Sequence, residues 1–177
     1  AVMLALHRSD VADLNQRARL HLIANDRLGP VVLDSDDLEL RVGDRVLALR
    51  NDRKIGIVNG TIGTVTGADP DAIHVEITDG DHLAIPVEYV AAGHLAHGYA
   101  MTIHKSQGMT CDVALVLGDD TLHKEAGYTS ITRGRERNHV YSVAAQEPAA
   151  RPTEDLRRAL AVSTAKQTAH DRGGLGL

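Results

Sequence analysis

Five consecutive apolar residues, Val113–Leu117, constrain the fold more than any other segment. A strand that is apolar on both faces is typical of a parallel sheet, because both faces of such a sheet are covered. A second strand-like run, Val2–Leu6, precedes a segment whose apolar residues recur at helical spacing. That segment is predicted to be a helix with Ser9 as its N-cap and Asp10 in its first turn. A strand followed by a helix indicates an α/β layer at each end of the chain.

The segment from Leu38 to Val90 follows a different pattern. Short runs that are β-branched or that alternate between apolar and polar residues predict five strands. They are Val46–Leu49, Ile57–Val58, Thr61–Thr66, Ile73–Ile77 and Leu83–Val87. Asn59-Gly60 is predicted to form a two-residue hairpin turn, and Asp79-Gly80 a further turn. This pattern indicates a small β-barrel of SH3-like size, inserted between two α/β segments.

The α/β pattern returns from Leu95 onward. Lys124–Arg137 is predicted to be mainly helical, and Val140–Ala144 to be a strand. Pro148 and Pro152 are predicted to close the domain. After them, Thr153–Ala165 is predicted to form a helix capped by Thr153, and the glycine-rich end to be frayed.

Composition excludes several classes of site. The four aromatic residues are all Tyr, so an aromatic platform for stacking bases is not expected. The net charge of −5 argues against a stand-alone nucleic-acid binder. Basic residues are concentrated in Leu40–Gly60, whereas Ile55–His104 contains no Lys or Arg, so any phosphate contact would be local.

Other features are absent from the sequence. A single cysteine, Cys111, excludes a disulfide framework and a Cys-based zinc site, and the histidines lack metal-ligand spacing, so no metal site is predicted. G-x-x-x-x-G-K-[ST] does not occur, so the chain alone is not expected to hydrolyse ATP. No apolar run approaches the length of a membrane span, so a cytoplasmic protein without a membrane partner is expected. The chain opens inside a strand-like run without an initiator Met, which indicates a fragment of a longer protein.

Two motifs carry the chemistry. The first, His97–Gly108, places hydroxyl, imidazole and ammonium donors close together at Thr102, His104, Lys105 and Ser106. Such donors suit a phosphate chain, because each can bind an anionic oxygen. The second, Gly127–Glu136, contains Arg133 and Arg135, which would diverge on a helix, so that one can face a phosphate while the other pairs elsewhere.

The motifs resemble those of a helicase family. T-I-H-K-S-Q-G, residues 102–108, is similar to motif V of RecD-like and Pif1-like superfamily 1B helicases, and Y-T-S-I-T-R-G-R-E, residues 128–136, to motif VI. Residues 43–60 are similar to the start of the SH3-like insert of the RecD-like group, and 6–15 to the opening of the second motor domain. Residues 117–129 most closely resemble the helicase half of MobF-class conjugative relaxase–helicases.

The resemblance implies a RecA-like (P-loop NTPase-type) second motor domain of α/β class with an inserted SH3-like barrel. The implied domains are 1–37, first part of the RecA-like domain; 38–92, the insert; 93–147, the part with motifs V and VI; and 148–177, a C-terminal helix and flexible tail. ATP and Mg²⁺ would be bound mainly by an N-terminal RecA-like domain that the chain lacks.

The resemblance also implies roles for individual residues. Arg133 would be the catalytic arginine finger that reaches the γ-phosphate. Nucleotide contacts would come from Gln107, Gly108 and Arg133. Contacts with single-stranded DNA would come from Thr102, His104, Lys105 and Ser106 in motif V, and from Arg50, Asn51 and Asn59 in the insert.

The implied function is ATP-driven translocation on single-stranded DNA, 5′ to 3′, in conjugative DNA transfer, with relaxosome proteins as further candidate partners. An alternative is a non-catalytic or degenerate helicase-like module that docks a protein partner, for which the acidic run Asp69–Glu88 would suit a basic surface. A plain SH3-like adaptor would explain only the insert. Structural interpretations of single residues also remain open. His104 and Lys105 could be ordinary surface residues, Arg133 could form an ion pair with Glu136, and Arg135 could be structural rather than catalytic. The basic residues of Arg41–Lys54 could form a solvated strand face, and Cys111 could fill a small apolar space.

Overall fold

The computed structural model describes residues 1–77, 80–118 and 122–142. The strands in these ranges are β1 (Val2–Ala5), β2 (Val31–Asp34), β3 (Glu39–Arg41), β4 (Arg45–Ala48), β5 (Ile62–Ala68), β6 (Ala72–Ile77), β7 (His82–Pro86), β8 (Leu95–His97), β9 (Ala100–Thr102), β10 (Cys111–Gly118) and β11 (Gly134–Ser142). The helices are α1 (Arg8–Ala24), α2 (Val87–Ala91) and α3 (Lys124–Ile131).

A four-stranded parallel sheet joins the two ends of the described chain, in the order β11-β10-β1-β9. Leu4 is in register with Val116 on one side and Met101 on the other, and all three are buried. The prediction that Val113–Leu117 belongs to a parallel sheet is therefore confirmed. The carboxyl ends of β1 and β9 lie at the same edge of this sheet, because Ala5 is in register with Thr102.

Helix α1 follows β1 and contacts β1 and β9. Its N-cap is His7, with extended backbone angles of φ −96° and ψ 146°, so the prediction of Ser9 as the cap is wrong. The helix begins soon after β1 ends, which places Ser9 inside the first turn. Asn15 fixes the helix to β9: its amide Oδ1 accepts hydrogen bonds from the backbone nitrogens of Tyr99 and Ala100, both at 2.9 Å.

The middle of the chain forms an antiparallel sheet in the order β7-β6-β5-β4-β8, beside a two-stranded sheet of β2 and β3. Its core contains buried Val46, Val65, Ile73, Val75 and Ile85, in keeping with the alternation in the sequence. Strand β8 is part of this sheet, so the sheet extends past residue 92, the predicted end of the insert.

The prediction of a hairpin at Asn59-Gly60 is wrong in its details. Ile57 forms only an isolated bridge with Asp52, and regular pairing of β4 with β5 begins at Leu47 and Ile62. Asn59-Gly60 does form a turn, in which the Thr61 nitrogen donates to the Val58 oxygen at 3.0 Å. Only Gly60 has a positive φ, +95°, which is the pattern of a type II turn rather than of a two-residue hairpin.

The two large sheets share a hydrophobic core. Leu47 of β4 and Ile62 of β5 belong to the same buried cluster as Val2, Leu4 and Val116 of the parallel sheet. Alternate side chains of a strand point to opposite faces, and β4 therefore contributes to both cores: Val46 and Ala48 pack inside the antiparallel sheet, and Leu47 packs against the parallel one.

Gly98 connects β8 of the antiparallel sheet to β9 of the parallel sheet. Its nitrogen donates to the Arg45 oxygen at 2.7 Å, and a Cβ added at Gly98 would lie 2.8 Å from the carbonyl carbon and oxygen of Val46. These are backbone atoms of a central strand, so they cannot move aside without disturbing the sheet.

Gly98→Ala is therefore expected to lower the free energy of unfolding by about 1–3 kcal/mol, the usual cost of overpacking. Urea denaturation of the chain and of the variant measures the difference. Gly67→Ala in β5 is the matched control, because a Cβ there meets nothing within 4 Å. If the two variants were equally stable, the backbone at Gly98 could move away from Val46, and the prediction would be contradicted.

Helix α3 ends at Ile131, and β11 begins at Gly134, so the prediction of helix as far as Arg137 is wrong. A Cβ at Gly134 would lie 2.2 Å from the Arg137 oxygen, which makes glycine necessary for this tight entry into the strand. The Gly134 nitrogen donates to Oδ1 of Asn138 at 2.9 Å and fixes the same entry. Strand β11 covers the predicted strand as far as Ser142. Residues 143 and 144, the two closing prolines, the helix predicted at Thr153–Ala165 and the glycine-rich end lie outside the described residues. Among those described, no helix has the length and apolar content needed to cross a bilayer.

Candidate functional site

The chain turns sharply after β9, and we call residues Thr102–Met109 the β9 turn. The Ile103 nitrogen donates to the Ala5 oxygen at 2.9 Å, which starts the turn at the carboxyl edge of the parallel sheet. The Lys105 nitrogen donates to Oγ1 of Thr102 at 3.3 Å, and the Ser106 nitrogen to the Thr102 oxygen at 3.1 Å. Thr102 thus organises the turn with both its side chain and its carbonyl group.

The β9 turn separates the predicted site residues into two groups. His104, Lys105, Gln107 and Gly108 are exposed and Thr102 is partly exposed, so these residues can meet a ligand. Ser106 is fully buried, and its hydroxyl donates to the Ile103 oxygen at 2.7 Å. The prediction that Ser106 binds DNA directly is therefore contradicted, because its side chain points into the turn rather than out of it.

A second cation lies near Lys105. Partial burial lowers the pKa of Lys105, and the positive charge of Arg8 lowers this pKa further. Arg8 is exposed and is the first residue of α1, directly after β1. The carboxyl edge of a parallel sheet is where ligands of α/β proteins usually bind. The sequence motifs did not single out Arg8; its position just after a buried strand is the signal that could have done so.

Arg133 lies between α3 and the β9 turn. Its Nε donates to the Thr129 oxygen at 2.9 Å, and its Nη2 to Oγ1 of Thr132 at 2.9 Å. Its Nη1 donates to the oxygens of Met109 and Ser106, at 3.2 and 3.4 Å. The structure therefore brings the arginine of the second motif into direct contact with the turn of the first, while the residue stays partly exposed.

The neighbouring arginine has a different role. Arg135 forms an exposed ion pair with Asp112, which raises the pKa of Arg135 and agrees with its structural interpretation. Arg133 takes part in no ion pair with Glu136 among the described residues, and Glu136 lies in a strand rather than one helical turn away. The alternative of an Arg133–Glu136 pair is therefore wrong.

The three predicted contacts of the insert lie in the loop between β4 and β5. Arg50 is exposed, with Nη1 3.2 Å from Nε2 of His94, and its carbonyl oxygen accepts a bond from the Tyr89 hydroxyl at 2.6 Å. Oδ1 of Asn51 accepts a bond from the Asn59 nitrogen at 2.6 Å, so these two residues are held together. Leu49, next to Arg50, packs against the cluster that contains Ile103, which anchors the start of this loop on the core beneath the β9 turn.

A buried carboxylate links α1 to both sheets. Asp44 is fully buried, and it accepts bonds from Nε of Arg19, at 3.1 and 3.2 Å, from the Tyr99 hydroxyl at 2.8 Å and from the Arg41 nitrogen at 2.7 Å. Burial, followed by the bond to Asp44, raises the pKa of Tyr99. Arg19 also pairs with Glu39 and lowers the pKa of that carboxyl group. Sequence reasoning missed this network, because Asp44 reads as an ordinary turn residue.

The surface has a groove of about 810 Å³ between α1 and the antiparallel sheet, lined by residues such as Gln16, Asp37 and Val90 and touching the first motif only at His97. Nothing in the structure indicates what would fill it. Within residues 1–77, 80–118 and 122–142, no three His, Cys, Asp or Glu side chains are grouped so that they could hold a metal ion.

Comparison with solved structures shows which fold this is. The Pif1 helicase from Bacteroides in complex with ADP-AlF3 and ssDNA matches 81% of this chain and 41% of its own, with a TM-score of 0.59 and 22% identity. The Pif1 helicase from Candida albicans matches 81% of this chain and 45% of its own, with a TM-score of 0.57 and 20% identity. At these identities the likeness shows the fold, that of the RecA-like domains of helicases.

Sequence comparison gives closer relatives. The conjugal transfer protein TraA of Agrobacterium fabrum is 39% identical over 144 residues, which are 79% of this chain and 13% of TraA. The ATP-dependent RecD2 DNA helicase of Deinococcus radiodurans is 32% identical over 103 residues, 56% of this chain and 14% of RecD2. The RecD subunit of the RecBCD enzyme of Mycolicibacterium smegmatis is 35% identical over 116 residues, 62% of this chain and 20% of RecD.

No family model matches the chain. The chain spans about an eighth of the TraA relatives that it matches, 13% of their length. The relatives include both conjugal transfer proteins and RecD helicases, and the structural neighbours have the superfamily 1 helicase fold. The chain therefore belongs to the RecD-like superfamily 1B helicases, as a region related to the conjugal transfer proteins TraA.

Proposed function

We propose that this chain is the second motor region of an ATP-dependent translocase that moves 5′ to 3′ along single-stranded DNA during conjugative transfer. The contact between Arg133 and the β9 turn carries the proposal. It links the residue suited to a nucleotide phosphate with the residues suited to DNA, and a motor needs such a link between its two ligands. The inserted sheet would be the SH3-like module of this group.

The nucleotide side of the site fits half of an ATP site. The sequence has no P-loop, so ATP and Mg²⁺ would be bound mainly by an N-terminal RecA-like lobe. Arg133 is partly exposed beside the exposed Gln107 and Gly108, and would complete the site from the opposite side. A guanidinium there would stabilise negative charge during phosphoryl transfer.

The DNA side of the site lies at the carboxyl edge of the parallel sheet. Thr102, His104 and Lys105 offer donors to a phosphate chain, and Arg8 adds a positive charge beside Lys105. The loop with Arg50, Asn51 and Asn59 would guide the strand further along. Such contacts go to the backbone, so binding should be independent of sequence and sensitive to salt.

Titration of the chain into a fluorescent single-stranded oligonucleotide at low and moderate salt tests the DNA assignment. The double variant Thr102→Ala, Lys105→Ala is expected to bind about tenfold more weakly. The slope of the logarithm of the affinity against the logarithm of the salt concentration should fall by about one, because one charged contact with a phosphate is lost. Arg27→Ala is the matched control: it removes one exposed positive charge just after the carboxyl-terminal end of α1.

Unchanged affinity of the double variant would contradict the DNA assignment. Absence of binding by the unmodified chain, even at low salt and beside an added ATP-binding lobe, would favour the alternative of a module that docks a protein partner.

A further inference from the structure

Ser106 is the one residue of the predicted DNA contacts that the structure buries completely. Its hydroxyl group donates to the Ile103 oxygen, and no described buried side-chain nitrogen or oxygen lacks a hydrogen-bond partner. Without this hydroxyl group, the Ile103 oxygen would keep, among the described residues, only the bond from the Ser106 nitrogen, at 3.2 Å. The role of Ser106 therefore depends on which atoms its hydroxyl group holds in place.

The hydroxyl group of Ser106 closes the β9 turn at the point where the turn meets Arg133. The Ser106 oxygen accepts bonds from the Met109 nitrogen at 3.0 Å and from Nη1 of Arg133 at 3.4 Å. Nη1 also reaches the Met109 oxygen at 3.2 Å. Both carbonyl groups face the guanidinium where the turn folds back at Ser106.

The main chain of Arg133 is bound to the same segment. Its carbonyl oxygen accepts a bond from the Cys111 nitrogen at 3.0 Å, just after the β9 turn. Residues 106–111 therefore hold both the backbone and the guanidinium of Arg133. On the other side, the Thr129 oxygen accepts a hydrogen bond from Nε of Arg133, so the guanidinium is held from two directions.

We infer that Ser106 is a positioning residue for the arginine finger Arg133, and not a DNA contact. This inference rests on the proposed function, since it concerns the same site. An arginine side chain has many rotamers, and a group that acts on a transition state is effective when its neighbours fix its orientation beforehand. Ser106 supplies that orientation through the carbonyl groups of the β9 turn.

Two measurements test the inference with Ser106→Ala. In the chain itself, the Nη1 protons of Arg133, which bond to the Ser106 and Met109 oxygens, are followed by NMR and are expected to exchange faster with water in the variant. In a protein that joins this region to an ATP-binding lobe, kcat is expected to fall about tenfold to a hundredfold, the usual effect of a misplaced catalytic group, with KM for ATP unchanged. Ser106→Cys, with a slightly larger side chain of similar shape and a weaker donor, should lie between.

Ser130→Ala is the matched control. Ser130 is also fully buried, and its hydroxyl donates to a carbonyl oxygen three residues earlier, that of Gly127, at 2.8 Å. The change in kcat and in proton exchange in Ser130→Ala therefore measures the effect of removing a buried serine hydroxyl group in general. If Ser106→Ala has the same kcat and the same exchange rate of the Arg133 Nη1 protons as Ser130→Ala, the inference is overturned. If Arg133→Ala lowers kcat and Ser106→Ala does not, only this inference fails; if Arg133→Ala leaves kcat unchanged, the proposed function fails.

Discussion

Replacing Arg133 with alanine is expected to lower ATP turnover by about 10³-fold or more in a protein that carries this region beside an ATP-binding lobe. That is the usual contribution of an arginine finger to phosphoryl transfer. Affinity for the nucleotide should change little, because the contact strengthens only as charge develops in the transition state. Steady-state kinetics together with equilibrium binding of ATP separates the two effects.

Two control variants accompany Arg133→Ala: one removes a neighbouring arginine, and the other keeps the positive charge at residue 133. Arg135→Ala removes the neighbouring arginine, whose exposed partner is Asp112, and should leave turnover nearly unchanged. Arg133→Lys keeps the charge but cannot reproduce the forked contacts with the Met109 and Ser106 oxygens, so its turnover should stay low. A parallel loss of nucleotide affinity and turnover in Arg133→Ala would indicate a structural role and would contradict the assignment of Arg133.

Replacing Asp44 with alanine is expected to lower the free energy of unfolding by about 3–5 kcal/mol, which is typical when one partner of a buried ion pair is removed. The side chain of Arg19 is only 14% exposed, so it would lose its nearest buried counter-charge without gaining much water. The Tyr99 hydroxyl and the Arg41 nitrogen would lose their acceptor in the same step. Urea denaturation monitored by circular dichroism measures the change.

The comparison that isolates burial is Asp13→Ala. Asp13 also pairs with a basic side chain, that of Arg17 at 2.7 Å, but both side chains are more than half exposed. Exposed pairs contribute about 0–1 kcal/mol, so this control should remain close to the unmodified chain. A similar small loss in Asp44→Ala would show that water enters and replaces the missing carboxylate.

Features that depend on local sequence could be predicted. Five apolar residues in a row at Val113 correctly indicated a parallel strand, and helical spacing after Val2–Leu6 correctly indicated α1. The donors at Thr102, His104 and Lys105 were recognised by residue type, and the structure leaves all three at least partly exposed. In each case, the residues that decide the outcome are neighbours in sequence.

Features that depend on distant contacts could not be predicted. Ser106 has the same chemistry as its exposed neighbours, and only the packing of the turn on the parallel sheet buries it. The end of α3 depends on a glycine whose Cβ would strike the Arg137 oxygen, a clash that exists only in the folded strand. The partners of Asp44 include Arg19 and Tyr99, which are far from it in sequence, and no local pattern relates the three.

The core shared by the two sheets affects how this region can be divided. Leu47 and Ile62 fall within the insert predicted from the sequence, yet they pack on Val2, Leu4 and Val116 of the parallel sheet. Cutting out the insert would expose this apolar surface on both pieces to water, and the parallel sheet would lose part of one covering layer. The two sheets are therefore expected to unfold as one cooperative unit, and a graft of the antiparallel sheet onto another scaffold would have to carry the strands of the parallel sheet with it.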